Sequence, residues 1–127
     1  MSDAVDCRLE LAKALRELAD GSSEVALRNA LSRSYYSIFH AANVLLGKVG
    51  HKNLARELEN VEAGLGNRVD TLQELRQLAD YTPELVALKY GGSFETFKQD
   101  AREKVNEGLW VFDRIVREIE ERSRKGN

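Results

Sequence analysis

Residues 27–46 read LRNALSRSYYSIFHAANVLL, with apolar side chains at Leu27, Ala30, Leu31, Tyr35, Ile38, Phe39, Ala42, Leu45 and Leu46. These steps of three and four describe one broad stripe of an α-helix, the face that packs into a core. A plain core helix needs nothing more, yet this one carries a second, polar stripe of Asn29, Arg33, Tyr36, Ser37 and His40. Arg33 and His40 are seven residues apart, about 700° of rotation, which places them within roughly 20° of each other and two turns apart. The stripe thus gathers a permanent cation, a phenol, a hydroxyl and the side chain that titrates nearest neutrality.

Outward from this segment the chain reads as further helices. Upstream, Asp3 is a suitable N-cap for a helix to about Asp20, with Leu11, Leu15 and Leu18 on one face and Gly21 at its end. Ser22 or Ser23 caps the central helix, which runs to Leu46 before Gly47 and Gly50 break it. At about 24 residues it would span some 36 Å, long enough to be the spine of a bundle and to offer a face to a second subunit. Downstream, HKNLARELENVE (51–62) predicts a short helix with Leu54, Leu58 and Val61 inward, ended by Gly64 and Gly66. The next starts at Asn67 or Asp70 and ends near Tyr81, with Val69, Leu72, Leu75 and Ala79 on its apolar face, and Arg76 and Asp80 four apart on one side. Thr82-Pro83-Glu84 reads as the start of a short helix to Tyr90, stopped by Gly91 and Gly92. Ser93 caps a last helix to about Ser123, with Phe94, Phe97, Ala101, Val105, Leu109, Phe112, Val116 and Ile119 as its stripe. No strand pattern, internal repeat or phosphate-binding glycine loop is present. The expected fold is all-α: an antiparallel up-and-down bundle of four main helices plus one or two short ones, a single domain over 1–127.

Composition narrows the function. A chain of 127 residues, 43% apolar and 31% charged, buries about two-thirds of its extended surface in one core. A net charge of −2 and a pI near 5.8 exclude a global basic field, so any RNA contact is local. Cys7 is alone and reads as a reduced, core-facing thiol of a cytoplasmic protein. The acid-containing first twenty residues match neither a signal peptide nor a membrane anchor. Two histidines and one cysteine, without metal-ligand spacing, predict metal-independent chemistry with no cofactor. His51, beside Lys52 in a glycine-flanked loop, reads as exposed polar surface.

The string SRSYYSIFHAANVLL, taken with the later LRQLADY, resembles the HEPN-domain proteins, small all-helical prokaryotic proteins often encoded beside minimal nucleotidyltransferases. Their signature is an Arg, a spacer of about four to six residues, then a His, and six residues separate Arg33 from His40. The specific words cover about a fifth of the chain, the helical architecture nearly all of it. The resemblance implies a homodimer in which two Arg-His stripes share a groove, and a nucleotidyltransferase-type partner. It also implies a toxin-like role as a metal-independent endoribonuclease, with Arg33 holding a phosphate and His40 moving a proton. Tyr36, Ser37 and Asn29 would support the substrate. Arg76, Asp80 and Tyr81, the last two in the ADY word, read as a structural clamp, with Asp80 an acidic partner for Arg33 or Arg76. Ser34 stands directly after the Arg, where many ribonuclease members carry Asn, Asp or His. That departure supports an alternative, a non-enzymatic module binding a nucleotide or partner. A third class, a purely structural dimerisation domain, requires that Arg33 and His40 be satisfied within the chain.

Overall fold

The computed structural model describes Lys13 and residues 24–81 and 94–125, the side chains of 24, 25, 79–81 and 94 excepted. Apart from Lys13, the helix expected over 3–20 lies outside the described residues, as do that over 82–90, Cys7 and the side chains of Asp80 and Tyr81. Four helices are described: α1 (Glu24–Leu46), α2 (Leu54–Val61), α3 (Leu65–Tyr81) and α4 (Phe94–Lys125). Among the described residues there is no strand, and the architecture is an all-α helical bundle. Helix α1 packs chiefly on α4 and also on α3, while the short α2 lies mainly against α3.

The core follows the three-four spacing of the two longest helices. From α1, Leu27, Ala30, Leu31, Tyr35, Ile38, Ala41 and Ala42 are fully buried. They join Phe97, Ala101, Val105, Phe112, Val116 and Ile119 of α4, with Val111 and Ile115 widening that stripe. Phe39, Leu45 and Leu46 sit only partly buried at its margin. A stripe this broad buries a helix whose intrinsic propensity alone would leave it marginal.

Three helices meet at Gly108. A methyl placed there would lie 3.1 Å from Leu72 Cδ2 of α3, 3.5 Å from Ile38 Cδ1 of α1 and 3.8 Å from Ser34 Cβ of α1. Ser34 is therefore a core residue, 0% exposed, set where α1 and α4 pass closely. Its Oγ is buried with no hydrogen-bond partner among the described residues. A buried, unsatisfied hydroxyl costs about 1–3 kcal/mol, and alanine also favours the helix. Ser34→Ala is expected to raise the melting temperature by about 4 °C, given about 1 kcal/mol and the usual unfolding entropy of a chain this size; differential scanning calorimetry checks it.

Helix α3 begins earlier than the sequence reading places it, at Leu65 instead of Asn67 or Asp70. The cause is a cap borrowed from α2. The Glu59 carboxylate accepts hydrogen bonds from the Gly64 N–H at 3.0 Å and the Gly66 N–H at 2.9 Å, satisfying donors that a helix start leaves open. Gly64, at φ +96°, makes the turn, while Gly66, expected to end α2, lies inside α3. The amides of Gly64 and Gly66 hold the Glu59 carboxyl below its ordinary value. A carboxyl lowered in the folded state contributes stability above its unfolded value and loses it as pH falls through the folded one. Thermal melts between neutral pH and pH ~3 should show Glu59→Gln losing less stability on acidification than wild type.

At its other end α1 closes on Gly47, at φ +82°, whose N–H donates to the Asn43 carbonyl at 3.0 Å. The Asn43 side chain donates to the Phe39 carbonyl at 2.9 Å and accepts from the Val49 N–H at 2.6 Å. These bonds fix how residues 47–53 leave the helix, with Val49 packed against the core. That loop carries His51.

Candidate functional site

On α1 the polar stripe divides. Asn29, Tyr36 and His40 are exposed and Arg33 is half-buried, so these four share the outward side of the helix. Ser37 does not join them: it is 3% exposed. Eight residues from Asn29, it sits about 80° around the helix, at the edge where the bundle closes. The expectation that Ser37 supports a substrate therefore meets a side chain withdrawn from the surface. The imidazole of His40 makes no hydrogen bond among the described residues and meets only the edge of Phe39, with ring centroids 5.9 Å apart.

Beneath this face lies Arg76 of α3, 4% exposed. Its guanidinium stands 4.9 Å from the ring centroid of Tyr35 and 5.2 Å from that of Tyr36. A buried cation over two rings ties α3 to α1 and fixes the plane of Tyr36, which the sequence placed between Arg33 and His40. Arg76 was expected as a clamp with Asp80 and Tyr81, whose side chains lie outside the described residues; the contact described runs to Tyr35 and Tyr36.

Tyr35 is fully buried, its ring 5.4 Å from that of exposed Tyr36, and its hydroxyl reaches His51 Nδ1 at 2.6 Å. Burial pushes this phenol up to about 12, with nearby Arg76 opposing the rise. It stays protonated at any working pH. The His51 ring lies parallel to Phe39 with centroids 3.9 Å apart and meets Tyr36 edge-on at 5.8 Å. His51 is exposed, as the sequence suggested, but it belongs to an aromatic cluster with Tyr35, Tyr36 and Phe39. Sequence periodicity carries no signal for this, because the contact spans sixteen residues and a loop. His51 also borders an open, polar cleft of about 450 Å³ shared with Lys52, Asp70, Gln73, Glu74 and Gln77.

Chemically, the face offers a cation, a phenol and an imidazole free of hydrogen bonds, with a second imidazole one ring away. Among the described residues no three His, Cys, Asp or Glu side chains cluster as metal ligands, and no helix is long and apolar enough to cross a membrane. Comparison with family models, curated proteins and solved structures gives no match.

Proposed function

We propose that the outward face of α1 cleaves RNA without a metal, with Arg33 holding the scissile phosphate and His40 taking a proton from the attacking 2′-hydroxyl. The observation that carries this reading is the state of His40: exposed, unbonded, and on the same face as Arg33 and Tyr36. An exposed ring with no hydrogen bond to the described chain is open to a substrate. Arg33 supplies a planar fork suited to phosphate oxygens, and Tyr36, its ring set against Arg76, lies between the two. The burial of Ser34 against Gly108 also supports the reading, since the position after the motif arginine faces the core and takes nothing from the site.

In the same reading, the protein is the toxin-like half of a HEPN-like pair: a cytoplasmic homodimer whose two α1 faces share a groove, partnered with a nucleotidyltransferase-type antitoxin. The test is a cleavage assay on a mixed RNA pool in EDTA with wild type, His40→Ala and Arg33→Ala, each checked for folding by circular dichroism. Cleavage by wild type alone supports the assignment. If wild type does not cut, yet binds nucleotide in an Arg33-dependent way by calorimetry, the face is a binding module instead.

A further inference from the structure

In-line cleavage needs two proton transfers, and one histidine serves one of them. We infer that His51 is the second proton-transfer group of this site, giving the proton from Nε2 to the departing oxygen while the Tyr35 hydroxyl holds Nδ1. This rests on the reading of Arg33 and His40 as the RNA-cleaving face.

The geometry is specific. Phe39 lies 5.9 Å from His40 and 3.9 Å from His51, centroid to centroid, so the two imidazole centres are at most about 10 Å apart. Each need only reach within about 3 Å of an oxygen on opposite sides of one phosphorus, a separation that fits two rings flanking a bound phosphodiester. Tyr36, edge-on to His51 and on the same helical side as Arg33 and His40, connects the two halves of this surface.

His51 is also held as a reacting group must be. Its loop is tied to α1 through Asn43 and closed by the Asn53 N–H donating to the Gly50 carbonyl at 3.1 Å. The ring is stacked on Phe39 with an interplanar angle of 9°, and Nδ1 is engaged by Tyr35. A phenol both donates and accepts, so that hydrogen bond persists whether His51 is charged or neutral. Nε2 is left as the nitrogen that gains and loses the proton, and among the described residues it has no hydrogen-bond partner.

The step balances without any further reagent. The 2′-oxygen bonds to phosphorus as its proton passes to His40, and the phosphorus–5′-oxygen bond breaks as the 5′-oxygen takes the Nε2 proton of the His51 imidazolium. The products are a 2′,3′-cyclic phosphate and a 5′-hydroxyl, and water restores both imidazoles. Tyr35 is a positioning residue in this scheme. The charged and titratable groups around His51 are Lys52 on its own loop, Asp70, Glu74 and Arg76 of α3, and Tyr35, Tyr36 and His40 of α1.

The test compares an RNA oligonucleotide with uridine 3′-(4-nitrophenyl phosphate), whose nitrophenolate leaves without needing a proton. His51→Gln and His51→Phe, the second keeping an aromatic ring on Phe39, should lose about 100-fold or more on RNA and stay within a few-fold of wild type on the nitrophenyl ester. His40→Ala should lose on both. Both His51 variants should lose the alkaline limb of the pH–rate profile on RNA, and Tyr35→Phe should displace that limb. Wild-type rates on RNA for either folded His51 variant, or equal losses on the two substrates, overturn the inference and leave Arg33 and His40 standing. If wild type cuts neither substrate, the cleavage reading itself fails, and this inference with it.

Discussion

His40→Ala should lower RNA cleavage by about 10²–10⁴-fold, the usual contribution of a positioned proton-transfer group, while leaving the melting temperature nearly unchanged. The second half of that expectation follows from the structure. His40 is exposed, forms no described hydrogen bond and touches only the edge of Phe39, so its removal falls among surface substitutions worth about 0.5 kcal/mol or less. The loss belongs in kcat, because a proton in flight is stabilised in the transition state and not in the bound substrate. Arg33→Ala should differ in kind. Its fork meets phosphate in the ground state and the charge that builds on it later, so KM rises and kcat falls, with a total loss of about 10²–10³-fold. Arg33→Lys keeps the charge and loses the fork, and should recover binding better than rate. Steady-state kinetics on one RNA oligonucleotide separates these cases. If binding survives His40→Ala unchanged and no variant, wild type included, cuts, the face recognises nucleotide without cleaving it. If both substitutions act only through melting temperature, it is structural.

Much of this arrangement is legible in the chain, for definite reasons. The stripe from Leu27 to Leu46 and that from Phe97 to Ile119 repeat every three or four residues over many turns, and a signal of that length outweighs local ambiguity. The outward group of Asn29, Arg33, Tyr36 and His40 could be read because helical rotation alone fixes it. Its margin could not. Ser37 is buried because the neighbouring helices set where the surface begins, and that is a property of packing.

The same distinction explains His51. Its exposure was readable from flanking glycines, but its stacking on Phe39 and its bond to Tyr35 depend on how Asn43 steers the chain out of α1. Arg76 is a similar case. Its guanidinium lies over rings contributed by another helix, a contact that the spacing of four to Asp80 does not foretell. In both, the partner is remote in sequence and the residue type accepts several kinds of partner, so local pattern has nothing with which to choose among them.

Gly66→Ala is expected to be among the most damaging single changes in the described part of the chain, although helix propensity alone predicts a gain. Gly66 and Gly108 are both helical and both gain up to about 1 kcal/mol from alanine by propensity. What the new methyl meets decides the outcome. At Gly66 it would lie 2.4 Å from the Ala55 carbonyl oxygen and 3.0 Å from Glu59 Cβ and Oε1. A backbone carbonyl in α2 cannot swing aside without moving that helix, and displacing Glu59 removes the cap from α3. Overpacking adds roughly 1–3 kcal/mol, a large share of the 5–15 kcal/mol that holds a domain together. At Gly108 the closest atom is the Leu72 Cδ2 methyl at 3.1 Å, the end of a side chain that can shift by a few tenths of an ångström. Gly108→Ala should therefore be close to neutral, and Gly108→Val, which widens the branch at the three-helix junction, should not. Urea denaturation gives the order: a large fall in midpoint for Gly66→Ala, a small change for Gly108→Ala and an intermediate fall for Gly108→Val, with slopes unchanged. A midpoint for Gly66→Ala at or above that of wild type would mean that α2 and α3 do not approach through the Ala55 carbonyl.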